Sequence, residues 1–148
     1  SRTMNDYLPY MSNRESYVKV IFGQSQSIVK NAEAAVVNSG TASLETALLG
    51  TPQVVAYKGS DINFQIAKMI IKIKFISLGN LILNRTCFRE LLQYYFTSDN
   101  VLEEVVRMLE DQAYRQKMLD GYKEIKEALG GTGASNAVAK AMIDELKG

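Results

Sequence analysis

Short apolar runs alternate with helix-periodic stretches through the first half of the chain, and amphipathic helical patterns fill the second. Residues 18–22 read Val-Lys-Val-Ile-Phe, an alternation that predicts a strand. Residues 25–32 fit a short helix capped by Ser25 or Ser27, and residues 34–37 a brief buried strand. Residues 41–49 carry a helical pattern that Gly50 closes, with Pro52 beyond it, and residues 53–57 form another strand. Residues 61–72 are helical, with Ile62, Ile66, Met69 and Ile70 along one face. A short strand is expected at 75–78, a loop at 79–86 and a short helix at 89–95. Ser98 or Asp99 caps a helix running to about Glu110, with Glu103 or Glu104 in its first turn. Residues 112–129 make a long amphipathic helix through Leu119, Tyr122, Ile125 and Leu129. Gly130-Gly131-Thr132-Gly133 then breaks the chain, and residues 134–146 form a last helix burying Ala137, Val138, Ala141 and Met142. Residues 1–16, polar with scattered aromatics, read as a short helix or loop.

This order, β-α-β-α-β-α and then helices only, predicts an α/β fold. It is a Rossmann-like parallel sheet flanked by helices on both faces, with a helical C-terminal segment. Ligands on such sheets sit beyond the carboxyl ends of the strands. At one such end Val36-Val37 runs into Asn38-Ser39-Gly40-Thr41, and a helix begins at once. The turn puts backbone N–H groups and two hydroxyls at a helix N-terminus, where phosphate oxygens bind well. Gly40 lets the backbone approach a diphosphate with no Cβ in the way, and Thr41 either caps the helix or donates to phosphate. Taken alone, Ser-Gly-Thr is more often an ordinary helix cap. Glu45 lies one turn further in, about 6 Å along the axis, where a carboxylate can accept from the two hydroxyls of a ribose. An exposed helical glutamate facing the positive helix end is the plainer reading.

Composition narrows the chemistry. The chain has 148 residues, 47% hydrophobic and 22% charged, which suits one domain with a real core. Lys plus Arg is 17 against 16 for Asp plus Glu, and a net charge of +1 gives no argument for nucleic-acid binding. With no histidine, Ser-His-Asp and Cys-His catalysis are excluded and a zinc site is disfavoured. No metal and no cofactor is expected. Cys87 is the only cysteine, so no internal disulfide forms and a cytoplasmic location is expected. No uninterrupted apolar stretch of about 18 residues and no signal peptide is visible. The chain opens Ser-Arg-Thr without Met, which suggests a piece of a longer protein.

Two further clusters carry weaker signals. Asn80 and Arg85, in the expected loop, could reach a uracil edge or a phosphate; Glu90 and Gln93 are three apart on the expected short helix. By pattern alone this is only a polar loop. Lys58, Lys68, Lys72 and Lys74 are interleaved with Ile66, Met69, Ile70, Ile71, Ile73 and Phe75. A basic, apolar helix of that kind can lie on an anionic bilayer, although a core helix with a solvated face is commoner.

Three blocks give the chain a resemblance to a known family: Ser39 to Ala47 (Ser-Gly-Thr-Ala-Ser-Leu-Glu-Thr-Ala), Pro52 to Lys58 (Pro-Gln-Val-Val-Ala-Tyr-Lys) and Ile76 to Gln93. In this order and spacing they resemble lipid-A-disaccharide synthase, a GT-B glycosyltransferase family. The resemblance covers nearly the whole chain but only the C-terminal half of the family's protein, the half that binds the UDP-sugar. It implies transfer of 2,3-diacylglucosamine from UDP-2,3-diacylglucosamine to 2,3-diacylglucosamine 1-phosphate in lipid A biosynthesis, with inversion at the anomeric centre. Carried over by motif, Ser39, Gly40, Thr41 and Glu45 would hold diphosphate and ribose, and Asn80, Arg85, Glu90 and Gln93 would line the donor site. The acceptor site and catalytic base are expected in the N-terminal domain, and so no base is named here. A peripheral location on the inner face of the inner membrane follows from the same likeness. The sequence departs from the family's pattern at Gly79, where Pro is usual, at Leu83-Asn84, where Ala-Gly is common, and at Arg89, where Pro is common. A UDP-N-acetylglucosamine 2-epimerase shares the glycine turn followed by Glu, but it should carry a histidine-bearing site. A non-catalytic nucleotide-binding module is the third reading.

Overall fold

The computed structural model describes residues 3–11, 13, 14, 16–38, 40–58 and 74–130. The helices expected at 61–72 and 134–146 lie outside those residues, as does Ser39. A 3-10 turn at Met4–Asp6 precedes α1 (Leu8–Met11) and α2 (Ser25–Lys30). Then come β1 (Ala35–Val37), α3 (Gly40–Leu49), β2 (Gln53–Tyr57), α4 (Leu78–Leu83) and β3 (Glu90–Leu92). A second 3-10 turn, Gln93–Tyr95, leads to α5 (Ser98–Glu110) and α6 (Gln112–Ala128).

The three strands form a parallel sheet in the order β1-β2-β3, flanked by helices. Four consecutive β2 residues, Gln53 to Ala56, are buried, and successive residues face opposite sides, so β2 is covered on both faces. The register aligns Val37 at the end of β1 with Val55, and Val55 with Glu90 at the start of β3. Glu90 is therefore level with the point where β1 gives way to the Gly40 turn.

The core gathers Leu44, Val54, Val55, Phe88, Leu91, Met108, Met118 and Ile125, with the Phe88 and Tyr122 rings edge to face at 6.1 Å. Gly50, at φ +84, ends α3 as the Gly-Thr-Pro sequence predicts. Asp111 caps α6, its Oδ1 accepting from Tyr114 N at 2.9 Å.

Several expectations need correction, beginning with α2, whose N-cap is Gln24 rather than Ser25 or Ser27. Residues 18–22 pair with no strand among the described residues, although their burial partly alternates: Val18 and Val20 are half-buried and Lys19 is exposed. Residues 75–77 form no strand and lead through a bend into α4, whose N-cap is Ser77; the loop expected at 79–86 begins as that helix. Residues 89–95 are a strand and a 3-10 turn, not a helix. A short apolar run such as Leu91-Leu92 fits either state, and here β2 supplies the partner edge, Val55 N donating to Arg89 O at 3.0 Å. Thr97, not Ser98 or Asp99, caps α5 through its Oγ1, and Glu104 is wholly buried rather than part of a capping box.

Candidate functional site

The Gly40 turn lies at the carboxyl end of β1, and α3 follows with ten residues, long enough to carry a helix dipole. One face of α3 (Ser43, Leu44, Thr46, Ala47) is buried against the core. The opposite stripe runs through Thr41, Glu45 and Leu48, four and three residues apart, so Glu45 stands one turn above Thr41 on the same side. Thr41 is exposed and Glu45 half-buried. From α2, Gln26 Nε2 donates to Glu45 Oε1 at 2.6 Å, which ties down one oxygen of the carboxylate. Sequence reasoning missed Gln26, because nothing local links a residue 19 positions away to Glu45.

Gly40 is half-buried because the backbone of another segment rests on it. A Cβ built there would stand 3.2 Å from the Ile76 carbonyl oxygen, so the absence of a side chain permits this approach. Ile76 is itself fixed by Glu90. The Glu90 carboxylate accepts from Ile76 N at 2.9 Å, from Ser77 N at 3.1 Å, from Ser77 Oγ, and from Asn80 Nδ2 at 2.9 Å.

Asn80 is wholly buried and uses its full hydrogen-bonding capacity inside the protein. Its Nδ2 donates to Phe88 O (2.9 Å) and Glu90, and its Oδ1 accepts from Cys87 N (2.7 Å) and Phe88 N (3.3 Å). Gln93 is also buried, in the 3-10 turn beyond β3, with a left-handed φ of 50°.

Arg85 is at the other end of α4 from Ser77, a helix of six residues and so about 9 Å long. Its Nη2 pairs with Glu124 of α6 at 2.6 Å, where both side chains are near half exposed, and that carboxylate keeps the guanidinium firmly charged. The pair flanks an open groove lined by Thr86, Ala113, Gln116, Lys117 and Asp120. Of the expected donor-site residues, Gly40, Thr41 and Glu45 share the first turns of α3, Glu90 is hydrogen-bonded to Asn80 and to the Ile76 segment whose carbonyl lies near Gly40, Gln93 is buried beyond β3, and Arg85 follows the far end of α4. Among the described residues, no group of three or more His, Cys, Asp and Glu side chains could hold a metal, and no helix is long and apolar enough to cross a membrane.

Comparison with known proteins bears on this geometry. The lipid-A-disaccharide synthetase family matches residues 7–142. The lipid-A-disaccharide synthase of Solibacter usitatus is 37% identical over 134 residues, 90% of this chain and 35% of that protein. That of Myxococcus xanthus is 38% identical over 127 residues, 86% of this chain and 33% of its own length. The Trichlorobacter lovleyi enzyme of the same name is 33% identical over 97% of this chain and 37% of its own. The chain spans little more than a third of the curated relatives it matches.

Proposed function

Because the chain belongs to the lipid-A-disaccharide synthetase family, we propose that it is the donor-binding part of such an enzyme. In this reading the first turn of α3 receives the diphosphate of UDP-2,3-diacylglucosamine, and the sugar passes to 2,3-diacylglucosamine 1-phosphate. The observation that carries the reading is the placement of Thr41 and Glu45 on one side of α3, one turn apart. A helix N-terminus at the carboxyl end of a parallel strand offers positive potential to phosphate. One turn on, Glu45 Oε1 is held by Gln26 while Oε2 accepts no hydrogen bond among the described residues. A carboxylate so placed can accept from ribose hydroxyls.

Inverting transfer needs a base for the acceptor hydroxyl and stabilisation of the leaving UDP. This chain supplies the second, through the α3 N-terminus. The base and the acceptor site belong, in this reading, to an N-terminal domain of the same enzyme. A position at the inner face of the inner membrane is part of the proposal, since both substrates carry acyl chains. Membership of the family favours a transferase over the 2-epimerase reading.

Calorimetric titration of the chain with UDP tests the proposal. Binding that Glu45→Ala weakens by about tenfold, the worth of one charge-assisted hydrogen bond, supports it, with Gln26→Ala giving a smaller loss. UDP binding indifferent to both substitutions would remove the ribose assignment.

A further inference from the structure

We infer that Glu90 is a positioning residue for the phosphate cradle rather than a donor contact: it sets the cradle's wall by holding the Ile76 carbonyl against Gly40. This rests on the reading of the Gly40 turn as a diphosphate site. Pattern placed Glu90 on a helix face, and the family resemblance placed it in the lining of the donor site. It is instead the first residue of β3, and its carboxylate points back toward the 76–80 segment.

Both carboxylate oxygens are occupied by that segment. Oε2 takes Ile76 N, and Oε1 takes Ser77 N, Ser77 Oγ and Asn80 Nδ2. With these donors converging on it, the group has little left to offer a ligand, and a free anion beside a diphosphate would repel it. The bond from Ser77 N holds the Ile76–Ser77 peptide itself, and those from Ile76 N and Ser77 Oγ hold the residues on either side of it; its carbonyl oxygen is the atom that a Cβ on Gly40 would meet at 3.2 Å. Glu90 therefore acts on the α3 N-terminus through one peptide unit. The sheet register supports the linkage, since Glu90 is level with the last residue of β1 through Val55. Asn80 braces the arrangement from behind, because the same Nδ2 bonds both Glu90 and Phe88 O.

Glu90→Gln keeps the size of the side chain but replaces one acceptor oxygen with a donor, which opposes the N–H groups that now face it. The test measures the affinity of parent and variant for UDP and for inorganic pyrophosphate, together with amide exchange at Ile76 and Ser77. A positioning role predicts faster exchange at both amides and an equal loss, about tenfold, for UDP and pyrophosphate, since the phosphate wall itself has moved. A loss confined to UDP would make Glu90 a direct contact of the nucleoside and overturn the inference. So would unchanged affinities with the two amides released. Should Glu90→Gln not fold, Ser77→Ala, which removes one of the four donors, carries the same comparison with a loss of about threefold. A parent chain that binds neither probe would instead defeat the diphosphate reading, and the role of Glu90 with it.

Discussion

Replacing Asn80 with alanine separates the structural role of this residue from the ligand contact that its sequence motif implies. The side chain is wholly buried and makes four hydrogen bonds, three of them to backbone groups of the 87–88 segment. Alanine would leave Cys87 N–H, Phe88 N–H and Phe88 C=O without their partner. Each buried group left unpaired costs about 1–3 kcal/mol. Three of them give about 3–6 kcal/mol after partial relaxation, a large part of a domain's usual stability. We expect Asn80→Ala to lose about 4 kcal/mol in urea unfolding followed by far-ultraviolet circular dichroism.

Asn80→Asp refines the test. It keeps the shape and the acceptor toward Cys87 N and Phe88 N, but sets a carboxylate against Phe88 O and the Glu90 carboxylate. That group would hold its proton more tightly in the fold than in the unfolded chain, so stability should recover as pH falls. An Asn80→Ala variant within about 1 kcal/mol of the parent would refute the hydrogen-bond reasoning. If that variant also lost UDP binding, Asn80 would be the ligand contact that the motif suggests.

Three other perturbations probe separate features. An ideal Cβ on Gly121 would fall 2.3 Å from Cys87 Sγ, so Gly121→Ala should cost about 2 kcal/mol, and Cys87→Ala in the same chain should restore part of it. Burial holds the Cys87 thiol protonated, pushed up to about 11 from an ordinary value of 9.0. The unfolded chain releases that proton first, so stability should be unaffected by this group below about pH 9 and fall as pH rises toward 11, a slope that Cys87→Ala should reduce. Glu104 is wholly buried and neutralised by Arg89 Nη1 at 3.4 Å, with the Tyr114 hydroxyl donating to its other oxygen. Arg89→Ala should therefore cost about 2 kcal/mol in chemical denaturation, and Arg89→Ala/Glu104→Gln less than that.

The segment around Gly40 was legible because its cues are local. Gly40, Gly50 and Pro52 punctuate a helix between two apolar runs, and the elements at 53–57 and 112–129 follow from periodicity in the same way. The family departures are legible in hindsight for a related reason. Asn84, where Gly is common, has a φ of 48° at the C-cap of α4, and Asn is the side chain that tolerates the left-handed region best after glycine. Arg89, where Pro is common, supplies the cation that a buried Glu104 needs. What escaped sequence reasoning depends on partners distant in the chain. Residues 90–92 become a strand because they pair along β2, whereas 18–22 pair with no strand among the described residues despite their alternation. The same holds for the site. Gln26 meets Glu45 across 19 residues, and Glu90 meets Ile76 across 14. Motif transfer named Glu90 and Asn80 for the donor site; it carried no sign that Glu90 accepts from Ile76, Ser77 and Asn80, or that Asn80 also bonds the 87–88 backbone. Both spend their polar atoms on the protein, on partners 7 to 14 residues away that no local pattern announces.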